Sequence, residues 1–129
     1  MIENTVAAWH KLIETKDAAG LDNILADNVV FHSPVVHTPQ VGKPITTLYL
    51  TAALFVFANE SFKYVREVIS GNNAVLEFTT VIEGITVNGV DMITWGADGR
   101  ITKFKVMVRP LKAINLIHKM MGEMLQKIK

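Results

Sequence analysis

Asp91 stands in the run Val90-Asp91-Met92-Ile93-Thr94-Trp95, where every second position is bulky and apolar. In a strand, residues two apart share a face, so Asp91 faces the same way as Ile93 and Trp95. A carboxyl enclosed by apolar groups loses the water that stabilises its charge. Full burial raises such a pKa by up to about 3–5 units. In the neutral form it donates a hydrogen bond or acts as a general acid, and in the charged form it is a general base. The competing reading is a carboxylate near a strand end that meets water and does no chemistry.

Other polar groups carry weaker signals. His32 and His37 flank Pro34 and could share a metal with a third ligand. His32, however, alternates away from Phe31 and Ser33, which puts it on a surface or rim, so no metal site is expected. His118 falls between core positions of the last helix. Tyr49 offers a phenolic hydroxyl either to a pocket or to water at the core edge. Trp9 and Trp95 are core residues by size, and either indole N–H can line a cavity. Met107, Met120, Met121 and Met124 suit a deformable lid, a dimer contact or ordinary core filling. Neither Gly71-Asn72-Asn73 nor Ala97-Asp98-Gly99 leads a strand into a helix, so both are turns and not phosphate cradles. No metal or organic cofactor is implied.

These groups need elements to position them. Ile2, Val6, Trp9 and Ile13 recur at helical spacing. Asp17 can cap a short second helix carrying Leu21, Ile24 and Leu25. Val29 to Ser33 reads as a short strand ended by Pro34. Gly42-Lys43-Pro44 opens a third helix that runs to about Asn59, with Pro44 near the first position, where no N–H is needed. The period then changes. Phe62 to Ile69, Ala74 to Val87, Val90 to Trp95 and Arg100 to Arg109 read as strands. Pro110 opens a last helix, about 110–128, with Leu111, Ile114, Ile117, Met121, Met124 and Ile128 along one side.

The turns predict the register. If Asn88-Gly89 is a two-residue turn, Thr86 opposes Asp91 and Ile82 opposes Trp95. If Asp98-Gly99 is another, Trp95 opposes Thr102, Ile93 opposes Phe104, and Asp91 opposes Val106. Opposed residues share a face. One face then collects Leu76, Phe78, Thr80, Ile82, Ile93, Trp95, Phe104, Val106 and Val108, with Asp91 as its ionisable member. The strand at 62–69 stays open. A three-residue loop at 71–73 turns Phe62, Tyr64, Arg66 and Val68 inward; a two-residue loop turns Lys63, Val65, Glu67 and Ile69 inward.

Composition bounds the rest. The chain has 129 residues, which suits a single domain over 1–129. Half the residues are hydrophobic and the formal net charge is +1. That balance gives no electrostatic argument for nucleic acid or an anionic membrane. Cysteine is absent, so thiol chemistry and disulfides are excluded. Glu3, His10 and Lys11 interrupt any leader-like apolar run, and Leu48 to Ala58 is too short to span a bilayer. The expected location is cytoplasmic.

The order helix, short helix, strand, helix and four-stranded meander resembles the nuclear transport factor 2-like superfamily, in its SnoaL-like and ketosteroid-isomerase-like branch. The likeness rests on Leu25 to Pro34, on Gly42-Lys43-Pro44 and on Val90 to Ile101. It implies an α+β fold: a cone-shaped, strongly bent, antiparallel-rich sheet wrapped around N-terminal helices (a cystatin-like roll), here with an extra C-terminal helix. Ketosteroid isomerases carry an Asp eight residues before the Gly of the last turn, as Asp91 precedes Gly99. In that enzyme the residue is a protonated acid that donates to the substrate oxygen, a well-characterised case. The isomerase base position is Ser33 here, and its Tyr falls at Trp9. A serine without an activating partner is a poor base. The acid of SnoaL-type polyketide cyclases falls at Val106. The Arg and second Asp of limonene epoxide hydrolase fall at Gly89 and near Arg109.

The expectation is therefore a domain that binds a small apolar molecule in an internal pocket. Asp91 is the catalytic candidate, for acid-assisted isomerisation, ring closure or hydration. Trp9, Ser33, Tyr49, Phe78, Ile93, Trp95, Phe104 and Val106 are the ligand-binding candidates. The rival is a non-catalytic carrier or association module. The outer sheet face, with Val75, Val81, Val90, Met92 and Met107, is the expected homodimer surface.

Overall fold

The computed structural model describes residues 1–128. Thr5–Thr15 forms helix α1, which buries Val6, Trp9 and Leu12. Asn4 caps it by accepting the Ala7 N–H at 3.0 Å. Ile2 lies ahead of the helix and donates its N–H to the Asp98 carbonyl. Asp17 caps a single tight turn, Ala18–Gly20, that leads into the short α2, Leu21–Ile24. Strand β1 (Leu25–His32) follows, then β2 (Gln40–Val41), α3 (Lys43–Phe57), β3 (Lys63–Ser70), β4 (Asn73–Ile82), β5 (Ile85–Trp95), β6 (Ile101–Arg109) and α4 (Leu111–Ile128). Two-residue β2 is too short for a periodic pattern and was not expected.

The sheet order is β2-β1-β6-β5-β4-β3. Every neighbouring pair is antiparallel except β1–β6, which is parallel. Register shifts interrupt β1–β6, β3–β4 and β5–β6. Such bulges raise local twist and bend, which curls the sheet around the helices. The fold is the expected mixed α+β roll with a C-terminal helix.

One hairpin differs from expectation. The β4–β5 turn is Glu83-Gly84, with φ of 48° and 78°. Asn88 and Gly89 lie inside β5, opposite Thr79 and Phe78. Asp91 therefore opposes Leu76 and not Thr86. The inner face survives this error because the slip is an even number of residues, so alternation is preserved. Val87 is the exception: the misplaced turn assigned it to β4, and it is fully buried on β5. Gly89 serves packing instead of turning. A Cβ there would sit 2.5 Å from the Phe78 ring and 2.6 Å from the Met107 carbonyl oxygen.

On the other side of β5 the expected pairs Asp91–Val106 and Ile93–Phe104 are present. A bulge near the turn moves Trp95 from Thr102 to Ile101. In β3 both open alternatives occur, one on each side of a bulge. Glu67 opposes Leu76, as a two-residue loop requires, while the bulge sets Tyr64 opposite Phe78, on the inward side that the three-residue loop gave it.

Two apolar clusters fill the roll. The first joins Trp9, Leu21, Leu25, Leu76, Ile93, Ile101 and Phe104. The second joins Val56, Phe78, Ile82, Val87, Ala113 and Ile117, with Met120, Met121 and Met124 against it. Among the described residues, no helix is long and apolar enough to cross a membrane.

Candidate functional site

Asp91 is buried, with 6% of its surface exposed. Two elements reach it. Tyr64, on β3, donates its hydroxyl to Asp91 Oδ2 at 2.5 Å. Trp9, on α1, donates its indole N–H to the same Tyr64 oxygen at 2.9 Å. An indole N–H only donates, so the chain of bonds runs one way, from Trp9 to Tyr64 to Asp91. Among the described residues, Tyr64 is the one hydrogen-bond partner of the Asp91 carboxyl. Phe62, Phe78 and the His10 ring pack around the Tyr64 ring and hold it. His10 itself pairs with Glu67.

Burial pushes the Asp91 carboxyl from its ordinary 3.8 up to about 7, and the Tyr64 bond pulls the other way without overcoming it. Burial, and then the neighbouring Asp91 charge, push the Tyr64 phenol well above its ordinary 10. At neutral pH Asp91 can therefore give or take a proton while Tyr64 keeps its own. A carboxyl tuned this way suits general acid–base work.

A cavity of about 50 Å3 opens at this triad. Trp9, Phe78, Asp91, Phe104 and Val106 line it, together with Tyr64, Leu54 and Phe57. Ser33 and Tyr49 do not. They line a second cavity of about 190 Å3, which shares Val106 with the first. Ile93 and Trp95 line neither. Ile93 is sealed in the first cluster and Trp95 packs at its edge. Ser33 Oγ accepts the N–H groups of Val35 and Val36 at 3.1 and 3.4 Å, so it organises a turn.

Tyr64 was not among the expected site residues. Its signal was present as one of two open readings of the strand at 62–69, and only the bulge chose between them. His118 borders the second cavity. His32 is pushed below its ordinary pKa by partial burial, then by Lys105, Lys103 and His37. No group of three or more His, Asp or Glu suited to a metal occurs among the described residues.

An acid–phenol pair thus borders an apolar cavity walled by the bent sheet and the helices. Residues 6–104 match the SnoaL-like domain family, and the chain belongs to it. A steroid delta-isomerase from Pseudomonas aeruginosa is 39% identical, with a TM-score of 0.91 over 96% of this chain and 90% of that one. A protein with a cystatin-like fold from Silicibacter pomeroyi DSS-3 is 27% identical, with a TM-score of 0.86 over 95% and 85%. A protein assigned as a SnoaL-like polyketide cyclase from Jannaschia sp. CCS1 is 13% identical, with a TM-score of 0.67 over 86% and 89%, and shares the fold. No curated protein matches the chain.

Proposed function

We propose that this domain binds a small apolar carbonyl compound and isomerises it with acid assistance from Asp91. The observation that carries the reading is the enclosed Asp91 carboxyl, raised to about 7 and oriented by Tyr64. The neutral acid donates to the carbonyl oxygen as charge develops there, in a site where water does not compete. Trp9 and Tyr64 hold the acid and do not titrate in the working range. The likeness to a steroid delta-isomerase supports an isomerase over a hydrolase. Ser33 stands at the isomerase base position but is tied into a turn, so a base from the medium takes the α-proton, the electron pair shifts onto the oxygen held by Asp91, and a proton returned to the γ-carbon gives the conjugated ketone.

A β,γ-unsaturated cyclic ketone tests this, followed through the absorbance of its conjugated product. The native chain converts it, and the rate declines as pH rises past about 7, because the acid form is lost. Asp91→Asn lowers the rate about a hundredfold or more. Equal turnover by both proteins sinks the reaction. Unchanged binding with no turnover in either leaves a carrier.

The proposed partner is a second copy of the chain. On the outer sheet face Val81, Met92 and Met107 are exposed beside Val75 and Val90. Light scattering checks this: the native chain runs as a dimer, and Met92→Glu with Met107→Glu runs as a monomer. A monomeric native chain rejects it.

A further inference from the structure

The Asp91 cavity is too small to hold a whole apolar ligand. At about 50 Å3 it has room for a few waters, since a cavity needs about 10–15 Å3 of such volume to hold one. The second cavity begins beside it. Ala53, Phe57 and Val106 line both, and Val106 is the cross-strand neighbour of Asp91. Phe57, at the end of α3, is half-buried and packs edge-on against Phe78, with ring centroids 5.7 Å apart. It is the largest of the three side chains that border both spaces.

The far wall of the second cavity belongs to α4, through Ile117, His118, Met121, Gly122 and Leu125. These residues lie beyond the 6–104 stretch that matches the family. Gly122 is the odd member. A glycine inside a helix costs stability that alanine would not. Gly122 lines the cavity and is exposed to solvent, and a Cβ built on it would meet nothing within 4 Å. No neighbour demands a glycine there. Its missing side chain leaves the rim of the cavity open.

We infer that Phe57 and Gly122 set the length of the ligand: an elongated hydrocarbon with one acceptor oxygen, whose oxygen meets Asp91 and whose body passes Phe57 into the space under α4. This rests on the oxygen-binding reading of Asp91 and extends it to the rest of the molecule. Phe57 is the gate between head and body, and Gly122 is the rim past which the body extends.

Methyl ketones from hexanone to tetradecanone are the probes, with binding to the full chain read by tryptophan fluorescence. In the native chain, affinity rises about fourfold per added methylene, the usual value of a buried CH2. Gly122→Phe stops the rise part-way, so tetradecanone loses at least about tenfold while hexanone is unchanged. Gly122→Ala follows the native series. Leu125→Trp fills the same space from the neighbouring turn and gives the same cut-off should Gly122→Phe fail to fold. Phe57→Ala strengthens the longest ketones most. A native series that is flat beyond hexanone overturns the inference, as does a full-length rise in both Gly122→Phe and Leu125→Trp. Failure of the Asp91 reading looks different. Asp91→Leu, which removes every donor, would then leave every affinity unchanged, with the length dependence and its cut-off intact.

Discussion

The two apolar clusters of the roll share one sheet but are packed differently. In the first, Leu21, Leu25, Leu76, Ile93, Ile101 and Phe104 are all sealed at 1% exposure or less. In the second, Ala113 and Ile117 are sealed, while Met120, Met121 and Met124 of α4 stay half-exposed. The first cluster carries Trp9, and Asp91 and Tyr64 sit against it. A proton-transfer group has to be held within a fraction of an ångström, which a close-packed core can do. The second cluster borders the larger cavity, whose wall includes the flexible thioether of Met121. The sealed end carries Trp9, Phe78 of the second cluster holds Tyr64 from the other side, and the looser α4 rim borders the larger cavity.

The largest expected effect tests whether the first end truly encloses a charge. The folded pKa of Asp91, about 7, lies above its ordinary 3.8. The folded state therefore binds this proton more tightly than the unfolded chain does. The stability it contributes is complete below about pH 4, falls as pH rises, and is lost by about pH 7. The full loss is on the order of 4 kcal/mol. Urea titrations across this window show the fall in the native chain, and Asp91→Asn flattens it. A native chain already flat there would mean that the site is wet.

Core truncation sharpens the contrast directly. Leu76→Ala costs about 2–5 kcal/mol, and Met124→Ala costs about 1 kcal/mol because only part of its surface leaves water. Equal losses in chemical denaturation would erase the distinction between the two clusters.

Tyr64→Phe separates the triad from the packing around it. It strands the buried Trp9 N–H, at a cost of about 1–3 kcal/mol. It also removes the bond that lowers the Asp91 pKa, which then climbs further. Carboxyl NMR titration reads that shift, and a downward shift would contradict the geometry. Gly89→Ala probes the junction of the two clusters, where Phe78 crosses β5. Overpacking there costs about 1–3 kcal/mol by thermal or chemical unfolding.

The smallest effect lies at the β4–β5 hairpin, whose turn falls on Glu83-Gly84 and not on Asn88-Gly89. Glu83 holds a left-handed φ of 48°, a conformation that asparagine adopts more easily than most residues. Glu83→Asn is expected to raise stability by up to about 1 kcal/mol. No change would mean that Glu83 is already relaxed in its turn.

By itself the sequence determined which side chains of β4, β5 and β6 share a face, Val87 excepted. Alternation is a local property of each strand, so Asp91 falls among apolar residues under either placement of the β4–β5 turn. The Asp91–Val106 pairing was legible too, because the Asp98-Gly99 region does turn the chain. Only the tertiary structure decided which residues turn between β4 and β5. Asn88-Gly89 has the better turn chemistry, but the Phe78 ring needs Gly89 flat beneath it, so the turn falls on Glu83-Gly84. Tertiary structure likewise set β1 beside β6, since no local pattern encodes a pairing between strands so far apart in the chain. It also brought Tyr64 to Asp91 through a bulge whose position depends on the curvature of the whole sheet. A single apolar strand face holding one carboxylate thus became an oriented acid, because its partners arrive from β3 and α1, elements that meet β5 only once the roll has closed.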